Sequence, residues 1–248
     1  MRRFYVPPAE SRGDVLLLRD REAHHAADVL RLQAGEEVTV LNGAGERLLC
    51  QAHRITRKQV ELAVRRREHI PEPGFELTLF QAIVKGKTME TIVEKATELG
   101  VSRVVPLLTE RVVSHLDSDR AESKQAKWEL TAVESIKQCG SPWLPKIEAP
   151  QKLADVLKGL PRFDLACVAS LRGGNHPRHW IQQLKQPRTG CVWIGPEGDF
   201  SDAELDAIEA TGAKPITLGP LVLRADTAAI ASLAILRSEV DWLARSRA

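Results

Sequence analysis

Two short segments near the C-terminus gather residue types that could hold and activate a small molecule. They are Cys191-Val192-Trp193-Ile194-Gly195-Pro196-Glu197-Gly198-Asp199-Phe200-Ser201 and Leu218-Gly219-Pro220-Leu221-Val222-Leu223-Arg224-Ala225-Asp226-Thr227-Ala228. Each reads as a buried strand running into a glycine-bearing turn and then a helix. In the first, proline fixes φ while the glycines permit φ > 0 or a close backbone approach. Ser201-Asp202-Ala203-Glu204 reads as a capping box, with Phe200 and Leu205 placed as its hydrophobic staple. In the second, Gly219-Pro220 breaks a short strand, and Arg224 stands as a fixed cation just before a long amphipathic helix. Adjacent turns at the carboxyl ends of strands are where open α/β sheets bind ligands; two tight connections with no ligand are the plainer alternative.

Other chemistries find less support. Val84-Lys85-Gly86-Lys87-Thr88 lies where a phosphate-binding loop would sit, but that loop needs a glycine at the position of Gln81, so the segment reads as a basic turn between strand and helix. Gly173-Gly174 lacks a third glycine and Gly195-x-x-Gly198 has the wrong spacing for a dinucleotide fingerprint. His24 and His25 point in different directions on a predicted helix, and His176 with His179 brings no further ligand, so no metal site is expected. No G-x-S-x-G elbow supports a Ser-His-Asp triad. Cys50, Cys139, Cys167 and Cys191 form no C-x-x-C pair and read as buried, reduced thiols.

For the two turns to lie side by side, their strands must share a sheet, and the pattern after residue 70 supplies one. Apolar runs at 77–84, 104–108, 163–169, 190–194 and 214–218 alternate with helical periodicity at 88–99, 120–138, 153–157, 176–184, 202–210 and 227–243. That order argues an α/β fold with a mainly parallel sheet covered on both faces. Gly100 ends one helix, and Asp119-x-x-Glu122 reads as the capping box of the next. The last helix carries Ile230, Leu233, Leu236, Val240 and Leu243 at helical spacing, widened by Ile235 and Trp242. The stripe is broad enough to serve a second copy of the chain as well as the parent core.

Residues 1–70 look mostly β. Strands are expected at 15–18, 37–41, 47–55 and 59–64, with Asn42-Gly43 as a hairpin turn. Asp20 is placed to cap a helix over 21–32, with Ala23, Ala26, Ala27 and Leu30 on one face. A small antiparallel sheet or barrel follows. Pro71-Glu72-Pro73-Gly74 cannot continue a sheet interior, which sets a boundary between a domain at 1–70 and another at 71–248.

Hydrophobic and charged fractions of 43% and 27% are those of an ordinary globular chain. Residues 1–70 hold 13 Lys/Arg against 10 Asp/Glu and the remainder 22 against 23, so the small basic excess is N-terminal. It gathers at Arg2-Arg3, at 54–58 and at Arg65-Arg66-Arg67, which could track phosphates; a solvated face is the plain reading of so small an excess. No N-terminal apolar segment and no run of about eighteen apolar residues occurs, so a cytoplasmic protein is expected.

Ile194-Gly195-Pro196-Glu197-Gly198 together with Leu218-Gly219-x-x-Val222-Leu223-Arg224-x-x-Thr227-Ala228 resembles the cofactor signature of the RsmE family, whose members methylate N3 of a uridine in small-subunit ribosomal RNA. The similarity runs in order through most of the chain: Arg2-Arg3-Phe4-Tyr5, residues 25–32 (H-x-x-x-V-L-R), Lys95-Ala96-Thr97-Glu98-Leu99-Gly100-Val101, Pro106-Leu107-Leu108-Thr109-Glu110-Arg111 and Lys137-Gln138-Cys139-Gly140. These five segments, in series with the signature, make the match specific.

The resemblance implies an N-terminal PUA-like β-barrel for RNA and a C-terminal SPOUT methyltransferase domain. That domain would bind S-adenosyl-L-methionine in a trefoil knot around residues 190–228, without a metal, and would work as a homodimer. Carried over by position, Ile194, Gly195, Pro196, Glu197, Gly198, Leu218, Gly219, Val222, Leu223 and Thr227 would line the cofactor site, with Ala169, Ser170 and Leu171 contributing from a neighbouring strand. Arg224 would be catalytic, facing the methyl-transfer centre; a salt bridge to Asp226 or Glu197 is its plainer role. Arg2, Arg3, Arg31, Lys85, Lys87 and Gln138 would meet ribosomal RNA, within a small-subunit particle. Three departures from the family pattern stand out: Asp199 replaces a usual glycine, Asp226 a glutamate and Ser141 an arginine. Two rivals are a SPOUT enzyme acting on another RNA or base position, and a non-catalytic RNA-binding protein of the same fold.

Overall fold

Short apolar alternations separated by glycine turns fold the start of the chain into a five-stranded sheet. The computed structural model describes residues 2–111 and 118–246. The strands are β1 (Arg3–Tyr5), β2 (Val15–Arg19), β3 (Glu37–Leu41), β4 (Glu46–Ile55) and β5 (Gln59–His69), in the order β1-β3-β4-β5-β2. Every strand sends apolar side chains into one core, among them Phe4, Leu16, Val40, Leu48 and Leu62, so the sheet curls around them. The β3–β4 connection is longer than a two-residue hairpin. Asn42 Oδ1 accepts the Ala44 and Glu46 N–H groups at 2.9 and 3.0 Å and closes the turn itself.

The helix expected at 21–32 is shorter and changes pitch. α1 (Asp20–His24) runs into a single π-helical turn, His25–Val29, closed by Leu30 N–H to His25 C=O at 2.9 Å. Asp20 does not cap it: the N-cap is Arg19, and Asp20 itself has φ 45°. After the turn Arg31 takes φ 49°, ending the helix and returning Leu32 to the core.

The unit built on this sheet comprises Met1–Glu72 together with Val133–Leu144. Arg3 Nη1 donates to the C=O groups of Lys137 and Gln138 at 3.1 and 2.8 Å, filling the open carbonyls of a helix C-terminus. Lys137, nearly buried, sits between Glu22 and Glu134. A Cβ at Gly45, where φ is 89°, would stand 2.4 Å from the Trp143 ring, so only glycine fits.

The second unit comprises Pro73–Ala132 and Pro145–Ala248. Its strands are β6 (Glu76–Ala82), β7 (Arg103–Leu108), β8 (Lys146–Ile147), β9 (Gln151–Lys152), β10 (Leu165–Ala169), β11 (Thr189–Ile194) and β12 (Lys214–Ile216). They order as β12-β10-β11-β6-β7-β8 with β9 also on β7, and every pairing is parallel. The helices are α2 (Thr88–Glu98), α3 (Ser118–Cys139), α4 (Leu153–Lys158), α5 (Arg178–Ile181), α6 (Asp202–Ala210) and α7 (Ala225–Arg245), with the end of α3 belonging to the first unit. Phe80, Val105, Val168 and Trp193 meet Leu153 of α4 and Leu205 and Ile208 of α6 on one face. α7 packs on α2, β6 and β11. Strands buried on both faces explain the nearly continuous apolar runs.

Several boundaries differ from expectation. Asp119 lies in the first turn of α3, and the residues before Ser118 fall outside the described ones. α5 is a single turn: Ile181 and Gln182 N–H reach back four residues, to Pro177 and Arg178, but His179 and Trp180 before them and Gln183 and Leu184 after them reach back three, so no longer α ladder forms. Cys139 is exposed, unlike the other three cysteines. The capping box at α6 is complete: Ser201 Oγ accepts Glu204 N–H at 3.3 Å and Glu204 Oε2 accepts Ser201 N–H at 2.9 Å. Phe200 and Leu205 are both buried beside it. Ser201→Ala is expected to lower stability by about 1 kcal/mol, read as a reduced denaturant midpoint with an unchanged slope.

Candidate active site

β12, β10 and β11 are neighbours, so their carboxyl ends open on the same place. The loops that follow them enclose a cavity of about 740 Å³, completed by Val84 and Thr88 at the turn after β6. From β10 come Ala169, Ser170 and Leu171. From β11 come Ile194, Gly195, Pro196 and Glu197, and from the loop after β12 come Leu218, Gly219, Val222, Leu223 and Arg224. The structure thus brings together most of the residues singled out for a cofactor. Gly198 and Thr227 do not reach the wall. The Gly198 C=O accepts from Arg111, and Thr227 is exposed on the first turn of α7, its N–H donating to Asp226 Oδ1 at 2.8 Å.

Local geometry explains the glycines. A Cβ at Gly195 would stand 2.7 Å from Asp199 Oδ1 and 3.0 Å from Phe200 N, so the turn folds back tightly only without a side chain there. Gly219 has φ 123°. Among the described residues no hydrogen bond engages the backbone of residues 220–223, whose N–H and C=O groups are open to a ligand or water. Leu221 and Val222 are 76% and 77% exposed, forming an apolar rim.

Arg224 is the N-cap residue of α7, and its C=O accepts Ala228 N–H at 2.8 Å. Its exposed side chain has no ion pair or hydrogen bond among the described residues. The two carboxylates expected as alternative partners are engaged by backbone instead. Glu197 Oε1 accepts Lys85 N–H at 3.1 Å, and Asp226 Oδ1 accepts Thr227 N–H. Asp226 therefore sits inside the first turn rather than at the cap.

Asp199 lines the cavity and takes φ 61°. Its Oδ1 accepts Phe200 N–H at 2.8 Å and its Oδ2 accepts Leu171 N–H at 3.4 Å, so the carboxylate ties the loop after β11 to the loop after β10. Asp199, Asp226 and Thr88 were not named as cavity residues from sequence. The two aspartates stand in the very segments read as binding turns. Thr88 belongs to the basic turn set aside for lacking phosphate-loop glycines; it reaches the cavity because β6 pairs with β11.

The residues expected to meet RNA are dispersed. Arg2 pairs with Glu36, Arg3 holds the end of α3, Arg31 is exposed, and Gln138 is exposed with its C=O occupied by Arg3. Those four belong to the first unit; Lys85 and Lys87 are exposed in the second. Ser141, which stands where the family has a cation, turns its Oγ onto the Trp143 backbone. Burial pushes the Cys191 thiol up to about 12 and that of Cys167 well above its ordinary value, so neither is a nucleophile near neutrality. Among the described residues no group of three or more His, Cys, Asp or Glu is placed to hold a metal ion, and no helix is long and apolar enough to cross a membrane.

Comparison with known proteins gives a consistent picture. Residues 71–237 match the family described as RNA methyltransferase domain, and residues 18–65 match RNA methyltransferase PUA domain. Ribosomal RNA small subunit methyltransferase E of Aquifex aeolicus is 31% identical over 92% of this chain and 96% of its own. A methyltransferase of Legionella pneumophila, solved with bound cofactor SAM, superposes with TM-score 0.87 at 31% identity, covering 95% of this chain and 96% of that one. Ribosomal RNA small subunit methyltransferase E of Neisseria gonorrhoeae, bound to S-adenosyl methionine, gives TM-score 0.84 at 25% identity over 96% and 97%. A fold with three loops around one cavity, a matching pattern over more than half the chain and near full-length relatives agree: this chain belongs to the RNA methyltransferase family that includes ribosomal RNA small subunit methyltransferase E.

Proposed function

We propose that this protein transfers a methyl group from S-adenosyl-L-methionine to N3 of a uridine in small-subunit ribosomal RNA. The observation that carries the reading is the Arg224 guanidinium, which has no partner among the described residues, at a cavity whose wall includes backbone that no hydrogen bond engages among those residues. The cavity fits the cofactor: about 740 Å³ lies within the range of small-molecule sites, and a mixed wall of apolar side chains and backbone N–H and C=O groups suits adenosine. When bound, the cofactor supplies an electrophilic methyl group on a sulfonium. Residues 195–197 and 218–223 hold adenine and ribose through their backbone, and residues 169–171, which follow the strand between β11 and β12, complete the wall. Gly198 and Thr227 act indirectly, by shaping the turn and the helix start.

Uridine N3 becomes a nucleophile as it loses its proton, and negative charge then spreads over the base. The Arg224 guanidinium, with no partner among the described residues, stabilises that charge. Leu221 and Val222, exposed on the rim of the cavity, would shield the reacting atoms from water once substrate is bound. Lys85, Lys87, Arg31 and Arg2 meet RNA phosphates, and Gln138 offers a side-chain amide, while Arg3 organises the first unit rather than touching RNA. We read residues 1–70, completed by 133–144, as the RNA-binding part and the remainder of 71–248 as the methyl-transfer part. The further reading is of a cytoplasmic homodimer acting on a small-subunit particle, with residues 190–228 threaded in a trefoil knot. Support for the knot lies in the adjacency of β12, β10 and β11 and in the single cavity shared by their loops.

The test is incubation with labelled S-adenosyl-L-methionine and small-subunit particles from a methylation-deficient source, followed by nucleoside analysis. Labelled 3-methyluridine is expected. Label in another nucleoside, or only with another RNA, would move the assignment to that target. Cofactor binding without transfer to any RNA would refute it.

A further inference from the structure

We propose that the Asp199 carboxylate is a specificity-determining group that makes the cavity favour the positively charged sulfonium donor over the uncharged thioether product, S-adenosylhomocysteine. The inference rests on the cofactor reading of this cavity and concerns how the same site tells the two forms apart.

Asp199 occupies a left-handed backbone conformation, φ 61°, that glycine or asparagine also adopts readily. A residue without charge would satisfy the turn, yet an aspartate stands there. Its position is fixed from two sides, by Phe200 N–H on Oδ1 and by Leu171 N–H on Oδ2. A Cβ added at Gly195 would stand 2.7 Å from Oδ1, so the carboxylate packs close to that turn because residue 195 has no side chain. Among the described residues no cation pairs with it. Nearby Arg111 donates to the Gly198 and Phe200 C=O groups, and Arg172 is held by Asp202 and Asp206. The other charged side chains on the wall are Glu197, Asp226 and Arg224, giving three carboxylates against one guanidinium. Glu197 likewise ties two loops, through Lys85 N–H on Oε1, but of the three Asp199 has both carboxylate oxygens held by backbone N–H groups.

Donor and product share adenosine, amino and carboxylate groups and differ in one methyl group and the sulfonium charge that goes with it. A fixed negative charge therefore acts on the difference between them. Opposite charges about 6 Å apart at an effective dielectric of about 40 attract enough for roughly a tenfold change in affinity. Such a preference admits the donor and speeds departure of the product.

The experiment is calorimetric titration of S-adenosyl-L-methionine and of S-adenosylhomocysteine into the native protein, Asp199→Asn and Asp199→Gly. For Asp199→Asn, which removes the charge and tolerates the same φ, donor affinity is expected to fall about three- to tenfold while product affinity stays within about twofold. Asp199→Gly, which keeps the backbone conformation and loses both N–H contacts, is expected to shrink the donor-to-product ratio similarly while weakening both ligands. Affinities that fall in step in both variants, or do not change, overturn the proposal and leave Asp199 as a tether between two loops. If Asp199→Asn fails to fold by circular dichroism, Asp199→Gly decides alone. A native protein that binds neither ligand brings down the cofactor reading itself, a result distinct from equal losses in the variants.

Discussion

Arg224→Ala is expected to lower turnover about 10²- to 10³-fold while leaving folding and cofactor affinity nearly intact. The separation follows from how Arg224 is built in. Its structural work is done by the backbone, whose C=O accepts Ala228 N–H and starts α7. Its side chain is exposed and makes no ion pair or hydrogen bond among the described residues, so removing it leaves no buried group without a partner. Arg224→Lys should restore part of the rate, since the ammonium returns the charge without the planar fork. Single-turnover methyl transfer, cofactor calorimetry and a thermal melt on the same preparations check this. Native turnover in Arg224→Ala would place the guanidinium away from the reacting base.

The largest effect on stability is expected from Trp193→Ala. Trp193 is wholly buried in β11, and its ring stacks on Phe80 of the neighbouring β6 with centroids 3.9 Å apart and planes inclined 11°. Losing the ring opens a cavity between the sheet and the α4–α6 layer, at a cost of about 3–5 kcal/mol. Trp193 lies two residues before Gly195, so the void also loosens the base of the turn on the cavity wall. Trp193→Phe, which keeps an aromatic face for Phe80, should cost clearly less. Urea unfolding gives the stability. Unaltered stability in Trp193→Ala would mean that the two layers are not held through this ring.

What could be read from sequence was whatever local chemistry determines. Ser201 and Glu204 complete their box within four residues, and the apolar runs of β6, β7, β10 and β11 announce strands buried on both faces. The parallel sheet follows from alternation, but its order β12-β10-β11-β6-β7-β8 does not, because alternation carries no information on which strands adjoin. That order brings Thr88 to the cavity from a turn rejected on motif grounds. Asp20 has the residue type of a cap and fails as one because φ 45° places it within a strand-to-helix corner. Arg3 looks like an RNA contact by charge alone. Its partners, the Lys137 and Gln138 carbonyls, lie 134 and 135 residues along the chain, a distance no local pattern spans. Asp199 reads as a mild departure until its two backbone contacts and its φ are known.

The discontinuity of the first unit has a consequence for the way the protein is made. Synthesis is vectorial, and the sheet of residues 1–72 is finished long before Val133–Leu144 leaves the ribosome. Until then Arg3 has no helix end to hold, Glu22 has no Lys137, and the hollow over Gly45 lacks the Trp143 indole. The nascent sheet must wait, incomplete, through the emergence of β6, α2, β7 and most of α3. The last strand of the first sheet thus appears early, but the unit closes only when about half the polypeptide has been translated. A fragment cut at the proline linker would resemble that waiting nascent chain rather than a finished domain.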